Sequence, residues 1–262
     1  MPGRQAILRE YARLAPGYDR RWSSYIQAGV RGTLARLGAR PAGAVLDVGC
    51  GTGALLAALA QSEPPLGVRL AGLDPSPEML AVARSKLAPA VELRVGWAEE
   101  IPYGDATFDV VVSCSVFHYL RRPMAALAEM ARVLAPGGRL VITDWCDDYL
   151  ACHICDYVLR LFNRAYYRAY RERECRVLLE ALGIGPVRTD RYKISWLWGL
   201  MTAVVQKPGG GRLISAAPTA ATPPQTRSAT APPRASPPRS RSVSLPGRAR
   251  PSSRVPARAA AP

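Results

Sequence analysis

After position 206 the 262-residue chain has no acidic and no aromatic residue; it has two histidines in all, and no uninterrupted apolar run reaches 18 residues. Each absence excludes something. Without a long apolar run, no segment is expected to span a bilayer as a helix. The first ten residues lack the continuous apolar stretch of a secretory signal, because charge returns at Arg9 and Glu10. Six cysteines, at 50, 114, 146, 152, 155 and 175, are too sparse for a disulfide scaffold, so reduced thiols in a cytoplasmic setting are expected.

The charge is unevenly placed. Lysine and arginine number 35 against 20 acids, a formal net charge of +15, but Lys207 and nine arginines lie in residues 207–262. What precedes them is near +5 and carries all 5 Trp, 11 Tyr and 3 Phe, so only residues 1–206 can build an aromatic-containing core. The last 56 residues hold half of the 24 prolines and show no periodicity. A Pro/Ala/Arg/Ser-rich disordered tail is expected there, because such a composition cannot bury enough apolar surface to offset its ordering entropy. Its arginines could attract nucleic acid by counterion release, yet no aromatic is interleaved to stack on bases. A small-molecule substrate is therefore expected rather than nucleic acid.

From residue 44 short β-branched runs alternate with helical stretches. Strands are expected at Ala44–Val48, Arg69–Leu73, Val91–Val95, Phe108–Ser113 and Leu140–Thr143. Helices are expected at Ala54–Gln61, from Pro77 to about Leu87 with Ser76 as N-cap, and at Pro123–Leu134, ended by Ala135-Pro-Gly-Gly138. Strict alternation implies right-handed crossovers and a parallel sheet covered on both faces. Residues 145–183 look helical throughout, and Tyr192–Trp198 with Thr202–Gln206 look like a closing strand pair around Gly199.

Gly49-Cys-Gly-Thr-Gly53 lies between the first strand and its helix, where glycines let backbone amides approach a ligand. The spacing is G-x-G-x-G, without the third glycine of a dinucleotide fingerprint, and no Lys-Ser/Thr pair follows as in a triphosphate loop. Asp47, two residues upstream, would repel a pyrophosphate and attract a cation. A ligand carrying an ammonium and a sulfonium fits that field. Asp74, at the end of the second strand, is placed either to accept from ribose hydroxyls or to start the turn before Pro75.

Val45-Leu-Asp-Val-Gly-Cys-Gly-Thr-Gly53, Gly72-Leu-Asp-Pro-Ser-Pro-Glu-Met-Leu80, Gly96-Trp-Ala-Glu-Glu-Ile-Pro102 with Phe108-Asp109, and Arg132-Val-Leu-Ala-Pro-Gly-Gly138 resemble, in order, the motifs of class I S-adenosylmethionine-dependent methyltransferases. The subgroup that includes ubiquinone and menaquinone biosynthesis methyltransferases is the most similar, and the resemblance covers roughly residues 8–206. It implies a Rossmann-like, doubly wound α/β fold, a seven-stranded, mostly parallel sheet with an antiparallel final strand. Its parts would be lid helices at 1–40, a cofactor-binding core at 41–144, a helical cap and last helix at 145–183, and closing strands at 184–206. It further implies S-adenosyl-L-methionine as cofactor. Gly49, Gly51, Thr52 and Gly53 would wrap its methionine part, Asp47 would hold the ammonium and Asp74 the ribose. Ser113, closing the fourth strand, is also placed among the cofactor contacts. Ala98 would meet the adenine edge. Where the family commonly has Asp before that Ala this chain has Trp97, whose indole either stacks near the base or caps the sheet edge. Tyr11 and Tyr18, with Trp22, look like the family's aromatic lid, or are packing residues.

In-line methyl transfer needs a base only when the acceptor carries a proton of high pKa. His118, four residues past the fourth strand, is the leading candidate, against the alternative of a loop histidine capping a backbone carbonyl; Asp144 and Tyr119 are weaker ones. The segment Ser113-Cys-Ser-Val116 lacks the Asn/Asp-Pro-Pro-Tyr/Phe pattern of base N-methylating relatives. Cys146, Cys152, His153, Cys155 and Cys175 include one C-x-x-C but no second, so no metal is expected. Arg160, Arg164, Arg168 and Arg171 at helical spacing form either a solvated face or a basic rim for an anionic substrate or a membrane surface bearing a lipid quinone. The expected reaction is methyl transfer to a small acceptor, a phenol or quinol at carbon or oxygen. The alternatives are a silent cofactor-binding module and a nucleic-acid-directed enzyme.

Overall fold

A computed structural model describes residues 2–38, 43–61, 67–163, 165–196 and 198–209. The expected tail beyond Gly209, and Arg164 of the expected arginine stripe, lie outside the described residues. Seven strands form one sheet in the order β3-β2-β1-β4-β5-β7-β6. They are β1 (Ala44–Val48), β2 (Arg69–Asp74), β3 (Glu92–Val95), β4 (Phe108–Cys114), β5 (Leu134–Trp145), β6 (Val187–Lys193) and β7 (Gly199–Gln206). The first five run parallel, and β7 lies antiparallel between β5 and β6.

The central strands β1, β2 and β4 are buried on both faces because helices cover both. Leu46 and Val48 of β1 join one core with Leu127 and Met130 of α5 (Pro123–Val133) and Leu179 of α7 (Glu172–Glu180). Val45 points the other way, into a core with Leu37 of α2 (Tyr18–Leu37), Leu56 of α3 (Ala54–Gln61) and Leu80 of α4 (Pro77–Lys86). The period of two along the strand produces this division. At the head of α4 the Ser76 Oγ accepts from the Met79 amide at 3.3 Å, with Pro77 at the first helical position, as its sequence requires. The chain begins with α1 (Pro2–Leu14) and one 3₁₀ turn before α2.

Three expectations are corrected. The stretch 145–183 is not continuously helical: α6 (Leu150–Phe162) stops at Asn163, whose side-chain oxygen accepts from the Ala165 and Tyr166 amides. The Tyr167 and Arg168 amides then donate to the His118 carbonyl, so the chain crosses the end of β4 in irregular form. Arg168 and Arg171 therefore do not continue the helix that carries Arg160. Second, Ala135–Gly138 belongs to β5 as an irregularity between the pairs Phe108↔Leu134 and Val110↔Arg139. Third, the closing strands are Val187–Lys193 and Gly199–Gln206, with bends at 194–196 after the first of them. As an edge strand with Arg188, Asp190, Arg191 and Lys193, β6 has a weak apolar signal, and the aromatics after it drew the expectation forward.

Candidate active site

The carboxyl ends of β1, β2 and β4 meet beneath α1 and α2 around a cleft of about 220 Å³. Its floor is the turn from β1 into α3. Gly49, Gly51 and Gly53 have φ of +77°, +52° and +78°, a region that side chains other than glycine rarely adopt. A Cβ on Gly49 would collide with Val116. The Gly49 and Cys50 amides both donate to the Leu73 carbonyl, at 2.7 and 3.0 Å, which ties the turn to β2.

Asp74, at the end of β2, accepts from the Gly51 amide on one oxygen and the Ser76 amide on the other, both at 2.9 Å. It lines the cleft and is 8% exposed. Burial raises its pKa to about 6, against the lowering effect of the two amides. Asp47 is 2% exposed, and its Oδ1 has no hydrogen-bond partner. Burial, reinforced by the Asp74 charge, raises its pKa to about 7. A buried carboxylate oxygen without a partner is costly, and a cation in the cleft would satisfy it.

The lid contributes aromatics. Tyr11, Tyr18 and Tyr25 line the cleft with Tyr119. Tyr11 packs on Tyr18 at 5.9 Å and edge-on to Tyr119 at 5.6 Å between ring centroids. The Trp145 indole donates to the Tyr25 hydroxyl at 2.6 Å, and Tyr25 shares a second hydrogen bond of 2.6 Å with Ser115 Oγ, in which either hydroxyl can be the donor. Ser115 sits at φ +61°, a strained setting for a residue with a side chain. Burial lifts the phenols of Tyr11 and Tyr25 well above their ordinary value and that of Tyr18 to about 12. At neutral pH all three are hydrogen-bond donors. The lid is fastened to the floor by Asp19, which accepts from Thr52 Oγ1 and pairs with Lys86 of α4, both at 2.5 Å.

At the β3 end, Trp97, Ala98 and Glu99 line the cleft. The Arg4 guanidinium of α1 lies 4.6 Å from the centre of the Trp97 ring and 3.5 Å from Glu99 Oε2.

The geometry agrees with what the chain is similar to. A model of a methyltransferase domain family matches residues 46–142, which span β1 to β5. Over 144 residues the chain is 38% identical to a phosphatidylethanolamine N-methyltransferase of Cereibacter sphaeroides, covering 53% of this chain and 68% of that protein. The chain belongs to the S-adenosylmethionine-dependent methyltransferases. It is also 35% identical over 138 residues to a ubiquinone/menaquinone biosynthesis C-methyltransferase of Geobacter sp. (strain M21), covering 50% of this chain and 55% of that protein. The chain spans about half the length, or less, of the first curated relatives it matches. Among solved structures, a 1,6-didemethyltoxoflavin-N1-methyltransferase of Burkholderia thailandensis shares the fold with a TM-score of 0.59 and 22% identity, covering 78% of this chain and 88% of that one.

Several residues expected in the site lie outside this cleft. His118 does not line the cleft. It is 3% exposed, its Nδ1 lies 2.6 Å from Asp144 Oδ1, and its ring stacks on Trp145 at 4.6 Å. Asp144 is equally enclosed, and also accepts from the Trp145 and His118 amides. Ser113 is 1% exposed and its Oγ donates to the Val48 carbonyl, joining β4 to β1 behind the cleft; Cys114 and Ser115 are the cleft residues. Gly53 faces α4, where a Cβ would lie 2.8 Å from Leu87 and 3.2 Å from Ala83. Trp22 is 42% exposed and outside the cleft. Among the described residues no group of three His, Cys, Asp or Glu is arranged to hold a metal.

Among the cleft and lid residues, Arg4, Asp19, Tyr25 and Ser115 had no role of their own in the sequence, Asp19 being read only as the end of the lid segment. Tyr25 had a signal, because Tyr11, Tyr18 and Tyr25 recur every seven residues, two turns of helix apart. Arg4, Asp19 and Ser115 had none, since each matters through contact with a distant segment.

Proposed function

We propose that the chain transfers a methyl group from S-adenosyl-L-methionine to a planar small-molecule acceptor held among Tyr11, Tyr18, Tyr25 and Tyr119. The observation that carries the cofactor half is the partnerless Asp47 Oδ1 buried beside the glycine turn. A zwitterionic amino acid satisfies it with its ammonium, while Gly49 and Gly51 let the backbone approach and Thr52 flanks the same turn. Asp74 retains lone pairs for a ribose beyond the two amides it already accepts from. Trp97 and Ala98 would meet the adenine, the indole supplying a stacking face that the usual acid does not.

When bound, the cofactor supplies an electrophilic methyl group on a sulfonium. The chain's own share is orientation and exclusion of water. Tyr18 and Tyr25 stay protonated and can donate to an acceptor oxygen or nitrogen, fixing its distance from the methyl carbon. The apolar wall formed by Ile26, Val30 and Leu120 favours a transition state in which the sulfonium charge is dispersing. With His118 and Asp144 shut behind Trp145 and Tyr119, no histidine reaches the acceptor, so a carbon or nitrogen nucleophile, or a phenol already ionised, suits the site. A heteroaromatic ring like the one bound by the Burkholderia relative, or a quinol, meets that requirement.

Incubation with methyl-labelled cofactor and a panel of quinols, phenols and heteroaromatic amines tests the reading. Label should enter at least one planar acceptor, and Tyr25→Phe should raise KM more than it lowers kcat. Tight cofactor binding without transfer to any of them would support a second reading, a binding module without turnover, which the withdrawal of His118 from the cleft favours.

A further inference from the structure

Helix α6 is turned inside out. Leu150, Ile154, Tyr157, Val158, Leu161 and Phe162 are 44 to 82% exposed, while its one acid, Asp156, is 3% exposed. At about 100° per residue these six side chains cover an arc of roughly 140°. The opposite side faces the protein: Cys152 is fully buried against the Gly199 backbone, and Asp156 accepts from the Tyr166 hydroxyl at 2.8 Å and pairs with Arg160 at 2.8 Å. Trp196, in the bends after β6, is 85% exposed as well. Soluble monomers rarely expose a contiguous apolar stripe of this size without a use for it.

The geometry points to the surface of an anionic lipid bilayer as the occupant of this stripe. Charge decides among the candidates. The exposed part of α6 carries no carboxylate; its flank presents His153 and Arg160, and Arg171 is exposed a few residues beyond its end. Asp147 and Asp148, just ahead of the helix, are engaged by His153, Arg171 and Arg191. Residues 210–262 add nine arginines and no acid. With no aromatic and only five large aliphatic residues scattered among Pro and Arg, that segment is poorly suited to covering the stripe itself. Apolar insertion by a helix lying in the interface, with basic residues drawn to anionic headgroups, is the two-signal arrangement that stable peripheral binding requires. No helix among the described residues is long and apolar enough to cross a membrane, so the contact is with one leaflet. The end of α6 is tied to the lid, since Asn163 Nδ2 donates to Glu10 of α1 at 2.9 Å. Docking therefore places a cleft-lining helix beside the bilayer, although it does not depend on the transfer reaction proposed above.

Co-sedimentation of the full chain with vesicles tests it. Binding should be at least about tenfold stronger to phosphatidylcholine vesicles containing a quarter phosphatidylglycerol than to phosphatidylcholine alone, and should weaken in high salt. The double variant Leu161→Asp, Phe162→Asp alters only exposed positions. It should lose about tenfold or more of the vesicle binding while keeping the wild-type melting temperature and S-adenosylhomocysteine affinity. Equal binding by wild type and variant would overturn the proposal. So would absence of wild-type binding, including the case in which light scattering shows a dimer that the variant dissociates.

Discussion

At the scale of single residues, the site is governed by carboxylates that are hard to ionise in the free protein. Burial raises Asp47 to about 7 and Asp74 to about 6, above the ordinary carboxylate range. Protonated, these groups cost the fold little; stability is lost as pH rises from the ordinary 3.8, where the unfolded chain ionises first, to about 6 for Asp74 and about 7 for Asp47, and levels off above. A bound ammonium reverses the preference at Asp47, because it favours the charged form. Affinity for S-adenosylhomocysteine should thus weaken by about tenfold for each pH unit below 7 and level off above it. Calorimetry near pH 6 in buffers of different ionisation enthalpy should show a proton released on binding. Affinity that is flat from pH 5.5 to 8 would remove Asp47 from the ammonium site.

His118 belongs to the same scale with a different role. Its ring is hydrogen-bonded to Asp144, which keeps the His118 and Trp145 amides when the ring is removed. His118→Ala should cost about 1–3 kcal/mol of stability by denaturant unfolding. His118→Asn, which can still donate to Asp144, should recover much of that loss. Both folded variants should keep kcat for a carbon acceptor within a few-fold; a collapse of kcat with unchanged stability would restore the histidine as a base.

At the scale of elements, α2 is bolted to the sheet by hydroxyls. Thr33 Oγ1 lies 2.9 Å from Thr143 Oγ1 on β5, which is 2.9 Å from Thr202 Oγ1 on β7, which is 3.0 Å from the Tyr192 hydroxyl on β6. The three threonines are buried, so breaking the row at Thr143 removes two hydrogen bonds out of reach of water, while Thr33 keeps the Gly29 carbonyl and Thr202 the Tyr192 hydroxyl. Thr143→Val should cost about 1–3 kcal/mol, read from the urea midpoint, with little change in cofactor affinity because the glycine turn is untouched. No part of this row was legible in the chain, because threonines at 33, 143 and 202 have no pattern until strand order brings them together. The parallel core was legible for the opposite reason. Val45–Gly53 and Gly72–Leu80 each carry strand, turn and helix start in a few consecutive residues, and Ser76-Pro77 marks its helix without help from tertiary contacts. The irregular crossing after Asn163 was hidden because Arg160, Arg168 and Arg171 keep a helical spacing, while the hydrogen bonds that end the helix come from Asn163 itself and from the His118 carbonyl.

At the scale of the molecule, the lid and the floor are joined through a few polar contacts and the space between them. Asp19 on Thr52 and Lys86, Arg4 on Trp97 and Glu99, and Tyr25 on Ser115 each link α1 or α2 to a different strand end. A ligand filling the cleft touches both sides, so it should stabilise the whole domain rather than one loop. A ligand that binds only the folded state adds about 2.7 kcal/mol at one hundred times its dissociation constant. For a domain of this size that corresponds to a rise of roughly 5–11 °C in melting temperature. S-adenosylmethionine and S-adenosylhomocysteine should both produce it, and NADH and ATP should not, because their phosphates would face Asp47 across a dry cleft. Asp74→Ala should abolish the shift for both adenosyl ligands, since the ribose and the Gly51 amide lose a shared acceptor together. A shift of similar size with ATP would mean that the carboxylate at the glycine turn does not select charge, and the cofactor assignment would fail with it.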